Sequence, residues 1–370
     1  MKKRILLLAI SIILVLATLS ACSNNSKSTE EDDSKEAKNV TDLLGREVEI
    51  PAGVEKFVAI GPGALRLYCY VADISKLVGI EELETKDQIG RPYIYANQDL
   101  ASLPIIGSGG PGNAPDPERI LESEPDVIFT MYNAEVSDVD DLQNKTGIPV
   151  VAMSYGVNEV FTPEVNQSLE LIGEVTGNED RAREVVDYFA ELQNDLEERV
   201  SDISEDKKPP VYMGGQGMRG AHGIESTSGN FSLFEILKAR NVVAEAGIHE
   251  YIMLDKEKLL EIDPEIIFID GGGLALVNED YAVNKEYYQG LQAFKNNKVY
   301  MNMPYNAYYT NLGIAIADAY YMGTIMYPEE FSDINIEEKY DEIKTKLLGS
   351  SDYIAMADAY FGGYQNLKFE

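Results

Sequence analysis

A twelve-residue pattern occurs twice in this chain, and it restricts the fold more than any other feature. Residues 118–129 read Glu-Arg-Ile-Leu-Glu-Ser-Glu-Pro-Asp-Val-Ile-Phe, and residues 257–268, 139 positions on, read Glu-Lys-Leu-Leu-Glu-Ile-Asp-Pro-Glu-Ile-Ile-Phe. Each copy joins a helical turn to a proline that cannot continue it, then to a β-branched run that suits a strand buried on both faces. A further short strand follows in each half, at Pro149–Met153 and Lys298–Asn302. Each half also opens with a strand (Phe57–Ile60; Pro210–Met213), a glycine-rich turn and an apolar helix. Strands alternating with helices predict parallel sheets. The chain is therefore expected to be an α/β protein of two parallel-sheet, Rossmann-like lobes with a ligand cleft between them. The first lobe spans 40–162, and the second, with terminal helices, spans 208–370.

The connector over 163–207 is unusual. From Glu179 to Ile203 apolar residues fall at Ala182, Val185, Val186, Phe189, Leu192, Leu196, Val200 and Ile203, a stripe at helical spacing. At about 1.5 Å per residue such a helix runs about 37 Å, enough to lie along both lobes. A flexible linker is rich in Gly and Ser. This one predicts a single rigid strut that allows only small lobe motions.

The opening residues address the chain. Lys2, Lys3 and Arg4 precede an apolar run from Ile5 to Leu19, which ends in Leu19-Ser20-Ala21-Cys22. A basic head, an apolar run of about 15 residues and a small-residue cleavage point describe a secretory signal over 1–21, too short for a membrane span. The cysteine after that point resembles the bacterial lipobox, which implies that Cys22 is diacylated and becomes the new N-terminus. Two acyl chains suffice for stable anchoring. From Ser23 to Lys38 the only apolar residue is Ala37, so 22–39 is expected to be a disordered tether. The rest is then held on the extracytoplasmic face of the cell membrane.

Composition narrows the partners. The formal charge is −32, and −35 once the three cations of residues 1–21 are removed. Nucleic-acid binding steered by the phosphate backbone needs a basic face, and is excluded as a reading. Cys69 is the only cysteine besides Cys22, so no intrachain disulfide is expected, and its apolar surroundings assign it to the core. No Gly-x-Ser-x-Gly elbow and no His-Glu-x-x-His occurs, and no catalytic residue is assigned. Gly107-Ser108-Gly109-Gly110-Pro111-Gly112 fits a dinucleotide fingerprint by letter, yet Pro111, Pro115 and Pro117 intervene before any helix, so it reads as a loop at the cleft rim.

Ligands of open α/β sheets sit outside the carboxyl ends of the strands. The chain has 23 Tyr and no Trp, and many tyrosines fall in those loops. The first lobe offers Arg66, Arg91, Tyr93, Tyr95, Met131, Tyr132 and Tyr155; the second offers Met218, Arg219, His222, Asn230, Asp270, Pro304, Tyr305, Tyr308 and Tyr309. Arginine supplies a planar, permanently charged fork and tyrosine an aromatic face with a polar tip, a lining that suits an anionic aromatic or hydroxamate complex. The residues assigned to ligand are Arg66, Tyr93, Tyr132, Arg219, His222, Tyr305 and Tyr309. Glycines at 214, 215, 217, 220 and 223 let backbone near Arg219 and His222 approach a solute closely. Bare zinc or manganese needs several converging His and carboxylate ligands. The chain has only His222 and His249, the latter expected to face solvent, so no resident metal or cofactor is assigned. One His with tyrosinate oxygens leaves Fe(III) or a haem axial position open.

These pieces together resemble the ABC-importer binding lipoproteins for ferric siderophores, haem and vitamin B12, over about residues 40–330. The resemblance rests on the lipobox, the two lobes, the single long helix and the repeated Glu-x-[Ile/Leu]-Leu-x-x-x-Pro-[Asp/Glu] segment. It also rests on Thr41-Asp42-Leu43-Leu44-Gly45-Arg46-Glu47-Val48, on Ala59-Ile60-Gly61-Pro62-Gly63-Ala64-Leu65-Arg66, and on Leu169-x-x-Ile172-Gly173-x-x-Thr176-Gly177. It implies capture of a metal chelate in the cleft by a monomer and delivery to a membrane permease with its ATPase. It also implies that Glu118 and Glu257, at matching places in the two repeats, pair with permease arginines. The same fold serves haem, cobalamin or bare Fe(III), or a sensor that docks on a receptor.

Overall fold

The computed structural model describes residues 36–86, 89–110, 112–133, 135–156 and 160–369. The secretory segment, Cys22 and most of the expected tether lie outside them. Order begins slightly earlier than expected, because β1 (Lys38–Thr41) pairs antiparallel with β2 (Glu47–Ile50). The turn between them is built by Asp42. Its buried carboxylate accepts the Leu44 and Arg46 amides at 3.0 and 2.9 Å. Arg46 answers with an ion pair to Asp42 and a bond to the Val150 carbonyl, which pins the ribbon to the first lobe.

That lobe is a parallel sheet ordered β3 (Phe57–Ile60), β4 (Val127–Thr130), β5 (Val150–Ala152). All three strands are buried throughout, as sheets covered by helices on both faces require. The second lobe repeats the plan with β6 (Pro210–Gly214), β8 (Arg240–Asn241), β10 (Ile266–Asp270) and β11 (Val299–Asn302) in parallel, and β12 (Gln365–Asn366) added antiparallel at one edge. A small ribbon of β7 (Ser226–Ser228) and β9 (Tyr251–Met253) flanks it.

The sequence repeat is a repeat of backbone chemistry. Asp116 caps the helix Pro117–Glu122 through the Arg119 amide, and Asp255 caps the helix Lys256–Ile262 through the Glu257 amide. Both helices then leave through a left-handed residue just before the proline, Glu124 at φ 51° and Asp263 at φ 44°. A proline disfavours helical geometry in its predecessor, and the left-handed turn ends the helix in one step.

The strut is the helix Glu179–Arg199, 21 residues, or about 31 Å at 1.5 Å per residue. It stops short of the expected Ile203. Ser201 bonds back to the Glu198 carbonyl, a local side-chain bond that competes with helix propagation. Its apolar stripe packs on the first lobe's helix Ala64–Val71 and the preceding connector helix Pro163–Thr176, and then on the second lobe's helix Leu312–Met326. A Cβ at Gly173 would fall 2.6 Å from that of Ala182, so the close crossing needs glycine. The helix Ile336–Leu348 contacts Ala64–Val71 of the first lobe and Leu312–Met326 of the second, and Arg181 of the strut joins it to the first lobe by bonding the Lys346 and Tyr70 carbonyls. Among the described residues no helix is long and apolar enough to cross a membrane.

The second lobe buries Asp270 and Asp318, and among the described residues no Lys or Arg pairs with either. Burial raises the Asp270 carboxyl to about 7, against which the Gly272 amide at 2.7 Å works only in part. The folded state therefore binds a proton that the unfolded chain releases near pH 4. Stability from this group is present below that pH and is lost as pH rises through about 7. Urea unfolding of wild type and Asp270→Asn between pH 4.5 and 7.5 is expected to show wild type losing about 1–4 kcal/mol relative to the variant. Parallel profiles would contradict it.

Candidate functional site

The two lobes meet at the carboxyl ends of their strands, and the residue at the centre of the seam is Arg66. It enters on the helix Ala64–Val71, which follows β3 through Gly63 at φ +83°. A side chain at Gly63 would strike the Tyr155 ring at 2.5 Å, so glycine is required there. Arg66 is fully buried. Its Nε donates to Asn311 Oδ1 at 2.8 Å, and Nη1 donates to the Thr310 carbonyl at 2.8 Å and the Tyr155 hydroxyl at 3.0 Å. Nη2 donates to the carbonyls of Ala307 and Tyr308 at 2.7 and 3.3 Å. Four of these five acceptors belong to the second lobe, on the loop between β11 and the helix Leu312–Met326. The guanidinium also lies 4.9 Å over the Tyr93 ring.

The loop that Arg66 grips is bent to fit. Tyr308 and Tyr309 sit consecutively in the left-handed region, at φ 52° and 76°, a geometry costing of order 1–3 kcal/mol for each non-glycine residue. Asn311 holds the loop's far end, donating from Nδ2 to the carbonyls of Gly90 and Tyr305. The Tyr309 ring rests on Tyr155, 4.7 Å between centroids.

A second junction lies beside the first. Glu81, 3% exposed, accepts the Gly61 amide at 2.9 Å, the Tyr132 hydroxyl at 2.8 Å and the Tyr308 hydroxyl of the opposite lobe at 2.9 Å. The two hydroxyls are 3.0 Å apart, and the Gly110 amide donates to that of Tyr308 at 3.1 Å. Burial holds the Glu81 carboxyl above its ordinary range. A cavity of about 500 Å³ opens here, lined by Pro62, Gly110, Asn113, Met131, Tyr132 and Asn133 among others.

The second lobe's other contribution is the loop after β6. Gly215, at φ +75°, turns it, and Gly273 packs so tightly that a Cβ there would meet the Gly215 and His222 carbonyls at 2.5 Å. Arg219 is exposed, and no ion pair or hydrogen bond engages its guanidinium among the described residues. His222 is half-buried, with Nε2 2.9 Å from the Met218 carbonyl and its ring 6.5 Å from that of Tyr251. Asn306 donates to the Gly217 carbonyl at 3.0 Å and so ties this loop to the one that Arg66 grips.

Measured against the expected ligand set, the structure divides it. Arg66 is corrected from a solute contact to a seam contact, because an arginine has five N–H groups and all five are used inside the protein. Tyr93 is corrected likewise: it is buried, and its hydroxyl donates to Glu84 at 2.6 Å. Burial lifts the Glu84 carboxyl to about 7 despite Arg91 at 3.2 Å. Tyr132 lies at the junction, Tyr309 packs on the seam, and Tyr305 stands half-buried 6.4 Å from the Phe231 ring. Arg219 and His222 remain as the outward-facing donors. Glu118 and Glu257 are both exposed, in the first turns of matching helices, and His249 is exposed as expected.

Glu81 and Asn311 were missing from the expected set. Asn311 carried a signal, an Asn directly before an apolar run in the place of a helix cap, but its side chain is spent on Arg66 instead of the helix. Glu81 follows Leu77-Val78-Gly79-Ile80, and an acid ending an apolar strand-like run was the only hint.

With this geometry in place, the similarities are informative. A family model described as "Periplasmic binding protein" matches residues 90–304. The chain is 25% identical to the molybdate-binding protein MolA of Haemophilus influenzae, over 84% of this chain and 91% of that protein. It is 24% identical to the iron(3+)-hydroxamate-binding protein FhuD of Bacillus subtilis, over 81% and 90%. The structure of MolA bound to molybdate superposes with a TM-score of 0.67, covering 85% of this chain and 99% of that one.

Proposed function

The chain belongs to the periplasmic binding protein family, and from that premise we propose that it is the extracytoplasmic, lipid-anchored solute-binding protein of an ABC importer. Its cargo is an anionic metal compound, read first as a ferric siderophore-like chelate, which it hands to a membrane permease with its ATPase. The observation that carries the reading is the contrast between two arginines. Arg66 is consumed within the seam, while Arg219 stands exposed next to His222 on a glycine-rich loop tied to the seam by Asn306. Donors at a rim suit a solute too large to sink between closed lobes, and Asn306 joins their loop to the one that carries Tyr305 and Tyr309. A second cargo, a molybdate-type oxyanion, is favoured by the identity to the molybdate-binding relative. No role in catalysis is assigned to any of these groups.

Tyrosine fluorescence of the mature chain, titrated in turn with a ferric hydroxamate and with molybdate, separates the cargoes. A charge-assisted bond contributes about 1.5–3 kcal/mol, so Arg219→Ala is expected to weaken the bound cargo by about tenfold or more. Affinities unchanged in the Arg219→Ala, His222→Ala pair would remove both residues from the site.

Delivery and anchoring are read in whole cells. A glutamate in a helix's first turn complements the helix dipole in any protein, but Glu118 and Glu257 occupy matching exposed turns that can face a two-fold permease. Replacing both by Arg is expected to abolish uptake with cargo affinity intact, and Cys22→Ser to take the protein out of the membrane fraction. Normal uptake, or undiminished membrane retention, would contradict the corresponding assignment.

A further inference from the structure

Three polar side chains are sealed together at the root of the loop between β11 and the helix Leu312–Met326, and their hydrogen bonds do not close. Asp270 and Asn302 end β10 and β11 as direct cross-strand partners. Partners on adjacent parallel strands lie about 4.7–4.9 Å apart and project from the same face. That face packs on the helix Leu312–Met326, which carries Asp318. Oδ1 of Asp318 accepts the Met303 amide at 3.2 Å and the Tyr364 hydroxyl at 2.7 Å. Among the described residues its Oδ2 accepts nothing. The Asn302 amide faces this carboxyl, yet neither its Oδ1 nor its Nδ2 has a hydrogen-bond partner. Asp270 Oδ1 accepts the Gly272 amide at 2.7 Å, and a Cβ on that glycine would fall 3.0 Å from the same oxygen.

The three side chains are buried, and no Lys or Arg among the described residues pairs with either carboxyl. Folds avoid burying two acids and an unpaired amide at one place unless something supplies the missing partner. A proton shared by the acids would still leave the Asn302 oxygen without a donor, whereas one cation meets all three groups. No third carboxylate, His or Cys joins them among the described residues. We infer that Asp270, Asn302 and Asp318 form a buried site for a divalent cation, calcium, bound through oxygen. Carboxylate and amide oxygens together are calcium's donors, while magnesium holds its waters and transition metals favour imidazole or thiolate. Two carboxylates cancel the charge of the ion, so the filled cluster is neutral. Asp270 alone of the three keeps any exposure, at the cleft end of its strand, and gives the ion its entry. With only two charged ligands the site belongs to the weak extracellular class, with dissociation constants of about 10⁻⁴–10⁻³ M. Through Asp318 and the Met303 amide the ion steadies the root of the loop that Arg66 grips.

This site is separate from the cargo and stands or falls without it. Equilibrium dialysis of the chelator-treated mature chain is expected to show one saturable calcium ion per chain above diffuse binding by the acidic surface. Calcium at about 10 mM is expected to raise the thermal midpoint by about 2–5 °C over sodium chloride of equal ionic strength. Asp270→Asn and Asp318→Asn are expected to lose both responses, yet to melt no lower than wild type in chelator, since each removes an uncompensated buried anion. A merely structural hydrogen-bond network would give the opposite order in chelator and no calcium response to lose. If either variant does not fold, Asn302→Leu, close in size and equal in charge, is expected to lose the saturable ion in its place. No calcium response in wild type, or the same response in wild type and the variants, overturns the site.

Discussion

One buried cation, Arg66, couples the two halves of this molecule. A guanidinium removed from water with no carboxylate beside it is costly unless every N–H is met. Here the oxygens of the opposite lobe's loop meet nearly all of them, with Tyr155 as the fifth. The dependence runs both ways, since the loop carries consecutive left-handed tyrosines that only a surrounding scaffold can hold. Pulling the lobes apart returns the guanidinium to water, which refunds much of its desolvation. The seam is therefore firm without being irreversible.

That coupling decides which side chains stay exposed. With the seam closed, Arg219 and His222 sit on the glycine-rich loop after β6, tied to the seam by Asn306, and a cavity of the first lobe opens beside Tyr132. The strut and the helix Ile336–Leu348 each contact helices of both lobes.

The architecture was legible in the sequence because it depends on patterns that local chemistry enforces. The repeat 139 residues apart encodes an Asp cap, a left-handed exit and a proline before each buried strand, and the structure reproduces all three in both lobes. The strut was visible in its apolar stripe, and only its end was misjudged, because the stripe continues through Val200 into a turn where Ser201 competes for the backbone. The site was less legible for a physical reason. A loop arginine looks the same in sequence whether it meets a solute or carbonyl oxygens more than 240 residues away. Tyr93 and Tyr132 look alike in sequence as cleft tyrosines, yet one is sealed beneath Arg66 and the other shares the seam with Glu81. Which lobe supplies the acceptors is decided by the closure of the cleft, and no local pattern records that.

The central claim, that Arg66 locks the seam by binding the backbone of the opposite lobe, is tested most directly by amide hydrogen exchange in the solute-free chain. Local opening exposes amides that a held segment keeps protected. The account predicts that the Asn311 amide, bonded to the Tyr305 carbonyl at 2.7 Å, and the Gly110 amide across the seam exchange slowly in wild type. Both are expected to exchange at least tenfold faster in Arg66→Met, while amides in β3 and β10 stay as they were. Rapid exchange at these positions in wild type, or protection unchanged by Arg66→Met, would contradict it.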